Sequence, residues 1–366
     1  MQTGFTEDQN QFREVVDRFL QEKSKPTATR KLIETESGYD QEVWQQMSGE
    51  VGLVGTHIPE AYGGFGFGPI ELGITQEEMG RHLYTGPFFA SAVMASYALL
   101  HMGDEDARLE YLPDIAAGTT IATFALDSLN GPEHVGHNIA ESGGALSGTA
   151  PLVVDGQIAS LLIVAAGTGL FAVQASDCSI SPVIGLDPTR KLSRIDFNNT
   201  PARKIGNTTN LNTTWDHLCV ALAHEMVGGA QQLLDTTIEY TKMRYQFGRP
   251  IGSFQGLKHR IADLLMEVEW AKAATHHAAR CLAQAEEERE GEAYLPSMVK
   301  AMASDTYIKA AKEAIQMRGG IGFTWEEDTQ LWYKRAKSSE VFLGTASYHR
   351  ERMMSIIEQD AEGVAA

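Results

Sequence analysis

The chain has 366 residues, 43% hydrophobic and 21% charged, a length that calls for two or three domains and a composition that excludes large-scale disorder. Its 30 Lys and Arg against 48 Asp and Glu leave a net charge of −18. Such a surface repels phosphate backbones and anionic lipid heads, so neither nucleic acid nor a membrane is expected as a general partner, while a local basic site can still hold an anionic small molecule.

The N-terminus, "MQTGFTEDQNQF", has no basic stretch followed by an apolar run, and no apolar segment anywhere is long enough to cross a bilayer, so a soluble, cytoplasmic protein is expected. Thr6 and Gln9 fit a capping box, and Phe12, Val15, Val16, Phe19 and Leu20 recur at the spacing of one buried helical face. A loop punctuated by glycine and proline, "HIPEAYGGFGFGP", spans residues 57–69; helix resumes through Glu77–Gly80 and Ala90–His101, and Ala107–Ala116 closes a helical region over 1–118.

From about Thr119 the texture changes. "TTIATFALD", "GGALSGTAPLVV", "SLLIVAA", "GLFAVQA", "CSISPVI" and "SRIDFNN" are short β-branched or apolar runs separated by Gly, Asp, Pro and Asn. That spacing predicts a small antiparallel sandwich or barrel over 119–208, with no helix of ordinary length. Helical periodicity returns over 209–366: Leu257, Ile261, Leu264, Leu265 and Val268 mark one amphipathic helix, and Met298, Met302, Tyr307 and Ala311 lie along another. The acidic run "AEEEREGE" (285–292) reads as a solvated helix end. Cys178, Cys219 and Cys281 are far apart and form no CxxC pair, so neither a disulfide framework nor a structural zinc site is implied.

Two segments carry chemistry. In "RYQFGRPIGSFQ" (244–255), Arg244 ends a helix, Phe247 and Gly248 turn the chain, and Gln255 opens the next helix. Arginine offers a fork of donors suited to a pyrophosphate, phenylalanine a flat face, and glutamine both a donor and an acceptor. Taken alone, the stretch also reads as an interhelical turn whose arginine is favoured by the helix dipole. In "QMRGGIGF" (316–323), Gly319 and Gly320 let a ligand approach the backbone, with Gln316 about one turn earlier; the dinucleotide spacing GxGxxG is absent.

R-x-x-F-G-x-P-I-x-x-F-Q, then Q-x-x-G-G-x-G-F, then G-T-x-S (344–347), behind an α-then-β layout, together resemble the acyl-CoA dehydrogenase family of flavoproteins. Residues 59–81, 112–126 and 187–192 ("DPTRKL") are similar to the family at matching places, so the resemblance covers nearly the whole chain. It implies an α+β multidomain fold: an N-terminal all-α domain, a central β domain and a C-terminal four-helix bundle, assembled as a tetramer. It also implies FAD bound across a subunit interface, an acyl-CoA substrate losing its α-proton to a carboxylate and its β-hydrogen as hydride to flavin, and an electron-transfer flavoprotein as acceptor.

Carried over residue by residue, Arg244, Phe247, Gln255, Gln316, Gly319 and Gly320 fall where the family reaches a neighbour's FAD, and Thr345 and Ser347 where it contacts the subunit's own. The flavin-ring half departs from the pattern. The family's T-E-P-x-x-G-S-D-like loop reads "LDSLNGPEHV" (126–135), with Ser128 its only hydroxyl, and its W-I-T/S segment reads Leu152-Val153-Val154. The usual positions of the catalytic base hold Leu343 and Leu218, with Cys219 where the companion arginine belongs. A leucine accepts no proton. Glu225 and Asp216 are candidates for a displaced base, though Glu225 sits about 10 Å along the helix from Leu218. Glu340 reads as structural, and His349 is expected to face solvent or a phosphate.

The resemblance therefore implies a subunit that contributes half of an FAD site to a homologous catalytic partner in a heterotetramer, as in bacterial enzymes that shorten steroid side chains. Three alternatives stay open: a self-sufficient homotetrameric dehydrogenase with a displaced base, a non-redox acyl-CoA-binding scaffold, and a flavin monooxygenase.

Overall fold

The computed structural model describes residues 4–284 and 291–365. Its first part is helical: α1 (Glu7–Lys23), α2 (Pro26–Leu32), α3 (Gln41–Gln45), α4 (Pro69–Arg81), α5 (Ser96–Met102) and α6 (Glu105–Ala116), with a π-helical stretch, Phe88–Ala95, running into α5. The capping box forms, Gln9 N donating to Thr6 Oγ1 at 3.2 Å and Thr6 N to Gln9 Oε1 at 3.0 Å. On α1, Val16 and Leu20 are fully buried and Phe12 and Phe19 pack partly against the same core. Val15, expected on that face, is exposed. At about 100° per residue it lies on the shoulder of a stripe centred between positions 16 and 20.

The central part is two stacked four-stranded sheets. Strands β1 (Ala122–Ala125), β4 (Leu161–Ala166), β5 (Gly169–Gln174) and β8 (Arg203–Asn207) form one, in the order β1-β4-β5-β8. Strands β2 (Ile139–Ser142), β3 (Ala145–Val154), β6 (Ser179–Val183) and β7 (Leu192–Pro201) form the other, in the order β2-β3-β7-β6. A sandwich is thus present, but not a wholly antiparallel one: β1 runs parallel to β4, with Ala122 opposite Leu161. Leu162, Val164, Phe171 and Val173 face Leu146, Val153, Ile195 and Phe197 between the sheets. Leu161, Ile163, Leu170 and Ala172 on the opposite face join the helical core. Burial on both faces explains why β4 is one unbroken apolar run rather than an alternation.

The last part is a bundle of α7 (Leu211–Met243), α8 (Gln255–Leu282), α9 (Leu295–Arg318), α10 (Thr329–Val341) and α11 (Ala346–Ala365). A short hairpin, β9 (Tyr245–Gln246) with β10 (Arg249–Pro250), joins α7 to α8. On α8, Leu264 and Val268 are buried as expected, but Leu265 is exposed, as are Met266 and Trp270. Most of the acidic run, 285–290, lies outside the described residues. Among the described residues no helix is long and apolar enough to cross a membrane.

Glycines set how α7 meets α4. A β-carbon on Gly80 would stand 1.8 Å from the Glu225 carbonyl oxygen, and one on Gly228 would stand 1.8 Å from that of Glu77. Two helix backbones come this close only where neither carries a side chain at the crossing. Gly228→Ala must push the helices apart and is expected to cost at least about 1–3 kcal/mol. Urea denaturation measures this directly, and an unchanged midpoint would contradict the close approach.

Candidate functional site

The residues expected to reach a neighbour's cofactor emerge at one end of the bundle. Arg244 caps α7 in an extended conformation, and Ile251 N donates to its carbonyl at 2.8 Å, closing the hairpin. Phe247 (φ 54) and Gly248 (φ 78) form the tip. Two left-handed residues in a two-residue loop match the natural twist of a hairpin. The tip lifts Phe247 to 91% exposure. Behind it, the Arg249 guanidinium lies 4.0 Å from the centre of the Phe254 ring, and Gln255 is the first, exposed residue of α8.

The second segment leaves α9 beside it. Arg318 donates to Thr237 Oγ1 at 3.1 Å and lies 5.3 Å from the Tyr240 ring, whose hydroxyl donates to the Arg318 carbonyl at 3.5 Å. These contacts tie the C-terminal ends of α7 and α9 together, so the chain departs from both in the same neighbourhood. Gly319 has φ 65, and a β-carbon on either Gly319 or Gly320 would meet nothing within 4 Å, so the backbone is open to a ligand. Arg244, Phe247, Gln255, Gln316, Gly319 and Gly320 are all exposed, next to Tyr245, Ile321, Phe323 and Trp325. Guanidinium, amide, flat ring and bare backbone suit a pyrophosphate and its adjoining nucleotide.

The flavin-ring half is different. Thr345 and Ser347 are exposed at the start of α11, where Thr345 Oγ1 accepts from Tyr348 N at 3.3 Å. The facing loop holds itself: Asp127 accepts from Gly136 N (2.7 Å) and Asn138 N (2.6 Å), and Ser128 Oγ from Asn130 N (3.3 Å). The loop's contact with α11 is Tyr348 OH donating to Glu133 Oε2 at 2.9 Å. Partial burial and this carboxylate both hold the Tyr348 hydroxyl protonated. The group this loop turns toward α11 is therefore an acid. Val153 and Val154 are buried and Leu152 is partly exposed, none with a hydroxyl to offer. The donor half fits FAD; the ring half does not.

At the expected base position, Leu343 is fully buried with φ 57 and Gly344 has φ 97. Both carbonyls are held: His349 Nε2 donates to Leu343 O at 2.8 Å and Lys300 Nζ to Gly344 O at 2.9 Å. His349, expected to face solvent or a phosphate, is instead fully buried, with Nδ1 3.3 Å from Ser297 Oγ, and burial pushes its pKa down to about 3. A neutral imidazole supporting a turn, not an anion site, is its role here. Leu218 and Cys219 are fully buried.

The two displaced candidates are occupied. Asp216 pairs with Arg352 at 2.6 Å. Glu225 Oε1 accepts from Arg190 Nη2 (2.6 Å) and Arg335 Nη1 (3.1 Å). Arg335 also binds Asp187 (2.8 Å), Thr189 Oγ1 and the Tyr84 carbonyl, while Arg190 reaches Ser339. All four charged side chains are at most 5% exposed. "DPTRKL" supplies Asp187, Thr189 and Arg190, but its partners are 35 to 149 residues away, so sequence spacing gives no sign of the network. Asp155 faces the same cluster, where burial outweighs the arginines and pushes its carboxyl up to about 7.

Burial alone would raise the Glu225 pKa; Arg190 and Arg335 outweigh it and hold the carboxyl below the ordinary range. A depressed pKa means stabilisation that is present above the unfolded value, about 4.3, and lost as the pH falls through the folded one. Glu225→Gln is expected to cost about 3–5 kcal/mol near neutral pH. The gap from the unmodified chain should narrow on acidification below about pH 4. Urea melts across pH test both parts, and equal stability at pH 7 would contradict the pairing.

Comparison with known proteins places these observations. Residues 6–119 match the N-terminal domain model of acyl-CoA dehydrogenases and residues 209–357 the C-terminal domain model. The chain is 32% identical to the acyl-CoA dehydrogenase IpdE2 of Mycolicibacterium smegmatis over 339 residues, 93% of this chain and 95% of that one. It is 33% identical to IpdE2 of Mycobacterium tuberculosis over 92% of this chain and 93% of that one. Among solved structures, the Tcur3481–Tcur3483 steroid ACAD superposes with a TM-score of 0.86 at 28% identity, covering 98% of this chain and 99% of that one. The ChsE4–ChsE5 complex of Mycobacterium tuberculosis shares the fold, with a TM-score of 0.87 at 24% identity over 97% and 98%.

Proposed function

This chain belongs to the acyl-CoA dehydrogenase family, and we propose that within it the chain is a non-catalytic subunit that lends half of an FAD site to a homologous catalytic partner. The reaction is the α,β-dehydrogenation of an acyl-CoA thioester, in which bound FAD supplies the hydride acceptor. The observation that carries this reading is the contrast between the two halves. Six donor residues stand exposed at one end of the bundle, while the position that would remove the α-proton is a buried leucine, Leu343.

Arg244 would hold the pyrophosphate of the partner's FAD, Gln255 and Gln316 would offer amides, Phe247 a flat face, and Gly319–Gly320 an open backbone. Removal of the α-proton needs a carboxylate within contact distance of the carbon. Glu225 and Asp216 are each committed to guanidinium groups and carry no such role in this reading. The carboxylate and the donors for the flavin ring come from the partner in a heterotetramer, and electrons pass on to an electron-transfer flavoprotein. A steroid-derived acyl group is the proposed substrate class, supported by the steroid ACAD among the similar structures.

The test uses the chain co-purified with a homologous subunit that retains the base and the hydroxyl-bearing loop. A hydrogen bond from arginine to a charged group contributes about 1.5–3 kcal/mol, so Arg244→Ala should weaken FAD binding by roughly ten- to hundredfold. FAD content unchanged after dialysis of the variant complex would overturn the assignment.

A further inference from the structure

We propose that His277, Cys281 and Glu292 form a binding site for a thiophilic divalent cation, with zinc the best fit, which pins the end of α8 to the segment entering α9. His277 and Cys281 are four residues apart on α8 and therefore share one face. Glu292 lies three residues before α9, its carbonyl accepting from Leu295 N at 3.0 Å. Cys281 Sγ is 3.7 Å from His277 Nε2 and 2.7 Å from Glu292 Oε2, and His277 Nε2 is 3.4 Å from Glu292 Oε1. Atoms bound tetrahedrally to one zinc at about 2.0–2.3 Å stand about 3.3–3.6 Å apart. The His277–Glu292 separation of 3.4 Å falls within that spacing, and the His277–Cys281 separation of 3.7 Å lies about 0.1 Å beyond it.

The third, between sulfur and carboxylate, is the thiol's hydrogen bond. Metal binding would replace that proton with the cation and release it to solvent, so the affinity should rise with pH. Thiolate, imidazole and carboxylate together favour zinc over magnesium or calcium, which prefer oxygen alone. Cys281 is buried, whereas the His277 and Glu292 side chains are 37% and 33% exposed. That half-open setting provides a path for the ion and leaves a fourth position to water. Glu77 with His224 and His276, and Asp17 with Glu78 and His82, also bring three ligand-type groups together. There, however, the Arg13 guanidinium donates to both Glu77 and Glu78, so a cation already occupies the acids. Scanning for paired cysteines misses the 277–292 cluster because it uses one cysteine, and its acid follows eleven residues later.

The test is a Co2+ titration of the full chain after treatment with chelator. The expected result is saturable binding with thiolate-to-cobalt absorption, displaced by Zn2+ and absent in Cys281→Ser. His277→Gln and Glu292→Gln, on the more exposed side of the site, should each weaken Co2+ binding by more than about tenfold, since losing a direct ligand costs more than losing an outer-shell group. No thiolate absorption in the unmodified chain would overturn the site. So would absorption that survives in Cys281→Ser, or affinity unchanged in both Gln variants.

Discussion

Glu225 is a single carboxylate held by two buried guanidinium groups, and the three parts of the chain are joined through that sharing. Arg190 comes from the loop ahead of β7, Arg335 from α10 and Glu225 from the middle of α7, while the Tyr84 carbonyl brings in the N-terminal helices. Buried charges that lose a partner are costly, so these elements cannot shift independently. The cluster also faces the turn after α10: the Arg190 guanidinium lies 5.4 Å from the Phe342 ring and 5.6 Å from the Phe89 ring. An arginine that holds Glu225 thus also packs on the residue leading into the Leu343 turn.

The turn at Leu343 is held by its surroundings. Leu343 and Gly344 keep left-handed backbone conformations, which leucine adopts only under constraint. Lys300 and His349 supply it by holding the two carbonyls. Neither support needs a carboxylate at position 343. The donor face is equally independent, since it rests on a tight hairpin, a glycine pair and the contacts of Arg318 with α7. The two faces therefore rest on separate supports.

Much of this was readable from residue order where the controlling physics is local. The capping box at Thr6, the turn at Phe247–Gly248 and the strands with strong apolar runs are set by neighbours in sequence. Strands β2 and β8 leave no apolar signal in the sequence because they are short and largely exposed, each burying one isoleucine, Ile139 and Ile205. The parallel pairing of β1 with β4 is a tertiary choice that no local pattern encodes. Leu265 falls outside the core because a run of apolar residues on α8 continues past the buried stripe onto an exposed face. His349 departs from its expected exposure for the opposite reason: a polar residue beside Arg350 reads as exposed, but Leu343 and Ser297 enclose it in the fold. The donor residues were found through a family pattern, and their common exposure at one end of the bundle is a property of the fold alone.

The most direct measurement is FAD per chain by visible absorbance, first on this protein purified alone and then on its complex with a homologous subunit that carries the base. A shared site predicts a nearly colourless chain alone and a single FAD for each pair of unlike subunits in the complex. Stoichiometric FAD on the chain alone would contradict it, since the half of the site around Glu133, Leu152 and Leu343 would then be holding a flavin it is not built to hold.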